Sequence, residues 1–440
     1  MRFVLSVLFF APLAMAQPAP LQLSLKRAVD LALSPDGNTQ VQLAAESLRQ
    51  SETRVTQERS AFLPDLSGFV TYQDQTRNLA AFGISFNVPI PGFEFPTLVG
   101  PFTTFEARAR VQQNVLDLSS IRRYQASRAG LTATRTDSDA TSEQVASQVA
   151  RAYLAALKTQ ADVETVKANI SLDEAVLKQV TNQKAAGTGT GIEITRARVQ
   201  LSNEQQRLLV AENERRRARL QLLRAIGLPL DTDLQFIDKL EYTPVDALTL
   251  DQARAKALEG RPDLTTQQQR EETARLSASA VNMEHVPSIA AFADYGNIGT
   301  GFNDHALPTY TYGVTLRVPI FDGGRREARH AESVSRYRAE QTRTRDLRRQ
   351  VELDVRLALD SLRSAEDQVK VARDGLVLAD AELTQARRRY DAGVTTSLEV
   401  TDAQTRLERA RDNQTAALFN YNVARIDLAQ AMGAVRRTIQ

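Results

Sequence analysis

Apolar residues recur at intervals of three and four through two long proline-free stretches of this 440-residue chain, about Ile121 to Lys184 and about Arg326 to Tyr390. Val145, Val149, Tyr153 and Ala156 mark the stripe in the first, and Val351, Val355, Leu359 and Leu362 in the second. This period predicts two long helices with narrow, coiled-coil-like seams. A shorter helix follows each after a glycine-containing turn, Ile192 to about Gly227 and Leu398 to about Gly433. A third precedes each strand region, about Asn38 to Phe62 and about Arg261 to Val286. Between these the period falls to two. Tyr312, Val314, Leu316 and Val318 alternate with Thr311, Gly313, Thr315 and Arg317, and Ala107, Ala109 and Val111 alternate with Arg108, Arg110 and Gln112. Each such strand has one apolar and one polar face.

The pattern occurs twice. Residues 149 to 227 lie over 355 to 433 without a gap at an offset of 206, so that Val149, Ala186, Gly187, Glu193, Leu201 and Gly227 recur as Val355, Ala392, Gly393, Glu399, Leu407 and Gly433. Leu63-Pro64 to Phe69 pairs with Val286-Pro287 to Phe292 at offset 223, and Leu116-Asp117 with Phe321-Asp322 at offset 205. The first copy therefore carries 18 extra residues between those anchors, an insertion of the kind that sits at an exposed loop tip. That loop, Leu79 to Pro101, is unusually apolar, with Phe82, Phe86, Phe93 and Phe95. The expected organisation is a leader at 1–16, a first repeat over 17–250 and a second over 251–440. In the first, a β-hairpin of about 63–78 and 103–116 precedes a helical hairpin at 121–227 and an equatorial segment at 228–250. In the second, a β-hairpin of about 286–296 and 310–321 precedes a helical hairpin at 326–433.

Met1-Arg2, an apolar run from Phe3 to Leu13 and Ala14-Met15-Ala16 read as a secretory signal peptide, too short to span a bilayer. With no cysteine, disulfides, lipidation and thiol chemistry are excluded. No later apolar run approaches the roughly 20 residues of a membrane helix. Basic and acidic residues nearly balance at 55 against 53, so nucleic acid is not an expected partner. His285, His305 and His330 are the three histidines; none stands at metal-ligand spacing with another, and no nucleophile motif appears. Neither an enzyme nor a bound cofactor is expected. For an exported chain, strands of about 10 residues with one greasy face point to a membrane β-barrel rather than a soluble half-buried sheet. Four strands cannot close one, because open edges in lipid leave backbone groups unsatisfied. Three copies would supply 12 strands.

Arg389-Tyr390-Asp391-Ala392-Gly393-Val394-Thr395-Thr396-Ser397-Leu398-Glu399-Val400-Thr401-Asp402, its degenerate twin Lys184 to Ile194, and Pro319-Ile320-Phe321-Asp322-Gly323-Gly324 resemble the TolC-like outer membrane efflux protein family over essentially all of the mature chain. The resemblance implies an internally duplicated α+β membrane protein. It would be a homotrimer in which a 12-stranded outer membrane β-barrel, four strands per chain, continues as a long α-helical coiled-coil barrel across the periplasm. It also implies a mixed equatorial region, for which Leu228 to Leu250 and the chain ends are the candidates. The function implied is a passive exit duct of a tripartite efflux or type I secretion system. Its partners would be outer membrane lipid, a periplasmic membrane fusion adaptor, and an inner membrane pump of the RND, ABC or MFS type. A periplasmic adaptor or coiled-coil scaffold is the alternative, although adaptors usually carry one helical hairpin, not two.

Glu399 and Asp402 are three apart, hence on one helix face beside the turn, and threefold symmetry would multiply them into acidic rings that favour cations. By spacing alone they read first as ordinary negative charges at a helix start. The resemblance matches them to the family's acidic constriction, and matches Glu193 and Tyr390 to residues that hold the entrance shut through a hydrogen bond. It matches Gly187, Thr188 and Gly189, with Gly393, Val394 and Thr395, to the tip that meets the adaptor. Thr395 departs from the arginine some members carry there.

Overall fold

The computed structural model describes residues 20–84, 96–245, 248–301 and 306–439. The leader at 1–16, Phe86, Phe93 and Phe95 of the apolar insertion, and His305 lie outside the described residues. In chain order the elements are β1 (Leu21–Leu23), α1 (Leu25–Ala32), α2 (Thr39–Ser60), β2 (Asp65–Asn78), β3 (Leu98–Leu116), α3 (Leu118–Ala185) and α4 (Gly191–Ile226). There follow β4 (Leu234–Phe236), α5 (Leu250–Gly260), α6 (Pro262–Asn282), β5 (Ser288–Gly299), β6 (Leu307–Arg317), α7 (Arg325–Asp391), α8 (Ser397–Ala431) and α9 (Val435–Ile439). No helix among the described residues is long and apolar enough to cross a membrane.

The chain divides into two compact units, and neither is one of the sequence copies. One comprises residues 1–45, 138–262 and 348–440, and the other 46–137 and 263–347; each takes part of both copies.

The second unit carries a four-stranded antiparallel sheet in the order β2-β3-β5-β6. Prolines set several strand limits. Pro64 and Pro287 stand just before β2 and β5, while Pro319 lacks the N–H that a ladder needs and biases Val318 before it. β6 accordingly stops at Arg317, short of the expected 321. β3 begins at Leu98, ahead of the expected 103, because the insertion extends the β2–β3 ladder to Asn78↔Leu98. The pairings Leu66↔Val111, Ala109↔Tyr295, Ala293↔Tyr312 and Ala291↔Val314 put the apolar residues of all four strands on one face. That face is open: Leu66, Val70, Tyr72, Tyr295, Tyr310, Val314 and Leu316 are exposed, and Tyr312 is 76% exposed. The opposite face holds charge. Arg108 Nη1 lies 2.7 Å from Asp294 Oδ1 and Arg110 Nη2 3.7 Å from Asp294 Oδ2.

In the first unit β1 pairs in parallel with β4, drawing the start of the described chain onto the segment expected to be equatorial. A buried apolar cluster forms here. Val145, Val149, Tyr153, Leu222 and Ile226 bury their side chains with Val29 of α1 and Leu23 of β1. The Tyr153 hydroxyl donates to the Leu23 carbonyl or to Asp238 Oδ2, both at 2.9 Å, and its ring meets Phe236 edge-on. The second copy repeats this with Val351, Val355 and Leu359 against Ala253 and Ala257 of α5.

The two copies also close alike at their ends. Gly227 after α4 and Gly433 after α8 have φ of +91° and +67°, which glycine adopts freely. Space is as restrictive as φ: a Cβ on Gly227 would stand 2.4 Å from the Gly37 carbonyl oxygen, and one on Gly433 2.8 Å from the Gly260 carbonyl oxygen. Gly187 and Gly393 share the positive φ but have nothing within 4 Å. Gly187→Ala or Gly393→Ala is therefore expected to cost about 1–2 kcal/mol. Gly227→Ala or Gly433→Ala should cost clearly more, because strain and clash add. Thermal unfolding of the purified protein followed by circular dichroism checks the order; equal losses at all four would remove the packing argument.

Candidate functional site

The two helical hairpins turn at 186–190 and 392–396, both in the first unit. Each long helix ends in a left-handed glycine with the same pair of bonds. Gly187 N donates to Lys184 O at 3.0 Å and Thr188 N to Gln183 O at 2.9 Å, and Gly393 N to Tyr390 O and Val394 N to Arg389 O, both at 2.9 Å. These satisfy carbonyls that a helix end would leave unpaired. Gly189 is held for another reason, since a Cβ there would lie 2.9 Å from Lys184 N. The turns present Gly187, Thr188, Gly393 and Val394 to solvent, with Gly189 and Thr395 half-buried. Ile192 and Leu398, just beyond, are also exposed.

The next helices start at equivalent positions and then diverge. Thr190 and Thr396 are the N-caps of α4 and α8, which puts Glu193 and Glu399 at the third helical position of each, the place from which a glutamate reaches back to its cap. Glu193 does so: its Oε2 accepts from Thr190 N at 2.8 Å and from Thr190 Oγ1 at 3.1 Å. The backbone N–H of Thr190 holds the Glu193 carboxyl below its usual range. Glu399 instead accepts from the Thr395 hydroxyl and pairs through Oε1 with Arg389 Nη1 at 3.1 Å. Asp402, one turn on, is exposed, with no ion pair among the described residues.

The expected bond between Tyr390 and Glu193 is not made within the chain. Tyr390 Oη donates to Gln183 Oε1 across the two hairpins, while Glu193 bonds its own cap and Ser397. Burial, and then the nearby charges of Glu193 and Asp391, push the Tyr390 hydroxyl up, so it remains a donor at neutral pH. Gln179 Nε2 donates to Asp391 Oδ1 at 2.7 Å beside it. Sequence reading missed Arg389 and Gln183, which are equivalent to each other at the offset of 206. Their signal lay in the difference between the copies, which a search for matching residues passes over.

The tips thus combine a neutralised carboxylate, a free one and a tyrosine bridge between hairpins; the sheet supplies an exposed apolar face. The sequence profile described as "Outer membrane efflux protein" matches residues 32–228 and 253–434. The outer membrane protein TolC of Vibrio cholerae is 24% identical over 304 residues, 67% of this chain and 69% of that protein. The pyoverdine export outer membrane protein OpmQ of Pseudomonas aeruginosa is 25% identical over 295 residues, 65% of this chain and 60% of that protein. Among solved structures, the Campylobacter jejuni CmeC outer membrane channel superposes with a TM-score of 0.79 at 16% identity, covering 93% of this chain and 85% of that one. The Neisseria gonorrhoeae MtrE channel in its open state gives 0.75 at 18%, covering 93% and 89%. With both copies matched and the fold shared, the chain belongs to the outer membrane efflux protein family, the outer membrane exit channels of efflux and secretion systems that reach into the periplasm.

Proposed function

We propose that three copies of this chain form a passive duct whose strands close a barrel in the outer membrane and whose hairpin tips form the periplasmic aperture. One observation carries this reading: a four-stranded sheet with an exposed apolar face and outer edges on β2 and β6 that no strand pairs among the described residues. In hydrocarbon such edges must be hydrogen-bonded, and a threefold ring pairs β6 of one copy with β2 of the next. Outer membrane lipid then covers the apolar face, and the charged face with Arg108, Arg110 and Asp294 lines the lumen. Each sequence copy contributes one β-hairpin and one helical hairpin, which is why the chain is duplicated.

At the aperture, Asp402 is the carboxylate that sets ion preference. Glu399 is balanced by Arg389 and contributes less, and Tyr390 with Gln183 holds adjacent hairpins together. The tip segments Gly187, Thr188, Gly189 and Gly393, Val394, Thr395 meet a periplasmic membrane fusion adaptor, through which an inner membrane pump of the RND, ABC or MFS type supplies the energy. Transport through the duct is passive, and no catalytic step is assigned to the chain.

Protein extracted in mild detergent is expected to have the mass of three chains; a stable folded monomer would overturn the reading. In single-channel recordings Asp402→Ala should reduce cation preference and block by multivalent cations more than Glu399→Ala does. Equal effects would mean that Arg389 does not neutralise Glu399 in the assembly. Tyr390→Phe removes a bond worth about 1 kcal/mol, so open probability is expected to rise about fivefold. An unchanged value would place the closing contact elsewhere.

A further inference from the structure

We propose that a buried carboxylate cluster between the two helical hairpins is a proton-operated latch, neutral when the hairpins are locked together and ionised when they part. Asp173 of α3, Glu204 of α4 and Glu408 of α8 are 2%, 2% and 4% exposed. Their polar partners are few. Gln404 Nε2 reaches Asp173 Oδ1 at 3.4 Å, Gln200 Nε2 lies 3.4 and 3.5 Å from the two Glu408 oxygens, and Arg207 Nη1 meets Glu204 Oε1 at 2.9 Å. Arg207 is itself shared with Asp412 Oδ2 at 2.8 Å. Asp173 Oδ2 and Glu204 Oε2 are sealed from solvent with no hydrogen-bond partner among the described residues. One helical turn before Asp173, the fully buried Asn169 accepts from Arg411 at 2.8 Å while its Nδ2 also lacks a partner. α7 packs Ala379, Leu383 and Ala386 against α8, and its Glu382 pairs with Arg406 of α8.

Three buried carboxylates thus share little compensation, because the nearest guanidinium, Arg207, is half exposed and divided between Glu204 and Asp412, and an uncompensated buried anion is costly. The unpartnered carboxylate oxygens of Asp173 and Glu204 are where a proton would relieve the buried charge. Burial, followed by the charges of Glu204 and Asp173, pushes Glu408 up to about 7. Burial, followed by Glu204, pushes Asp173 up to about 6. Both shifts are upward, so the stabilisation they lend to the closed seam is complete below the ordinary carboxylate range and is lost as pH rises through about 6 to 7.

The cluster belongs to the contact between hairpins rather than to either hairpin. Within the second hairpin α7 and α8 bury apolar Ala379, Leu383, Ala386, Val400, Ala403 and Leu407 against each other, with the ion pairs Glu382–Arg406 and Arg389–Glu399 at the exposed margin. Across the hairpins the bonds are polar, Gln404 to Asp173, Arg411 to Asn169 and Gln200 to Glu408. At the offset of 206, Asp173 corresponds to Ala379, Glu204 to Ala410 and Glu408 to Ser202, so duplication did not supply these acids. Parting the hairpins would admit water to all three and restore ordinary acidity. Ionisation and opening therefore favour each other.

The effect on conduction rests on the duct reading, so the test separates the two. The chain has no cysteine, which allows spin labels at Gln179→Cys and Asp391→Cys, a cross-hairpin pair near the turns. In the trimer the label distance is expected to be narrow and short at about pH 5, broader and longer at about pH 8, and to change through about pH 6 to 7. The infrared band of protonated carboxyls should fade over the same range. Asp173→Asn with Glu408→Gln mimics the protonated cluster and leaves the Arg207–Glu204 pair intact, and it should abolish both responses while keeping the distance short. In planar bilayers the same pH step should raise open probability about tenfold or more, and not in the double variant. A label distance and carboxyl band that ignore pH, or a response that survives in the double variant, would overturn the latch. A distance that responds in a protein conducting at neither pH would remove the duct reading and leave the latch standing.

Discussion

Backbone N–H and C=O groups cannot be left unpaired in hydrocarbon, and that constraint organises the rest of this molecule. A sheet ordered β2-β3-β5-β6 satisfies its inner strands and leaves two edges. Among the described residues no strand pairs those edges, and on the proposed trimeric reading other copies of the chain pair them. The apolar face follows from the same requirement, since a closed ring in lipid is covered outside by acyl chains and inside by water. On this view the polar triad of Arg108, Arg110 and Asp294 stands where hydration is available, and the tyrosines of β5 and β6 where it is not.

Duplication supplies the frame, and departures from it supply the chemistry. The glycines after α4 and α8 are matched in φ and in the junction they press against. The helix starts at Thr190 and Thr396 are matched too. Yet one third-position glutamate closes its own cap while the other is drawn to Arg389, and the acids of the hairpin seam stand where the other copy has alanine or serine. A fixed scaffold tolerates such divergence because the turns and packed ends carry its geometry, leaving seam positions free to vary in charge.

Much of this was legible from periodicity. α3 and α7 announce themselves by apolar residues at three and four without proline, and the strands by alternation with one apolar face. The short elements escaped, because α1, α5, β1 and β4 are too brief for a period to register. A comparison of copies would have found two of them: Ser24-Leu25 with Ala28 and Ala32 has the spacing of Thr249-Leu250 with Ala253 and Ala257. At the tips the sequence indicated the glycines, the acids and the tyrosine. It did not indicate which side chains Glu193, Tyr390 and Glu399 bond, since Gln183 and Arg389 are ordinary helix residues until the fold sets them opposite. The buried acids were equally invisible, because a single Asp or Glu in a polar-rich helix carries no sign of burial.

The segment after β6 has a consequence for biogenesis. Pro319 ends the strand, and the next two residues, Ile320 and Phe321, are 90% and 86% exposed in the lone chain. Together with the bare sheet face they make a newly exported protomer a sticky species, prone to pair edges with any extended chain it meets. On the trimeric reading its folding and its association are then one event, governed by protomer concentration and membrane arrival. On that reading, survival between export and insertion depends on how fast three copies meet.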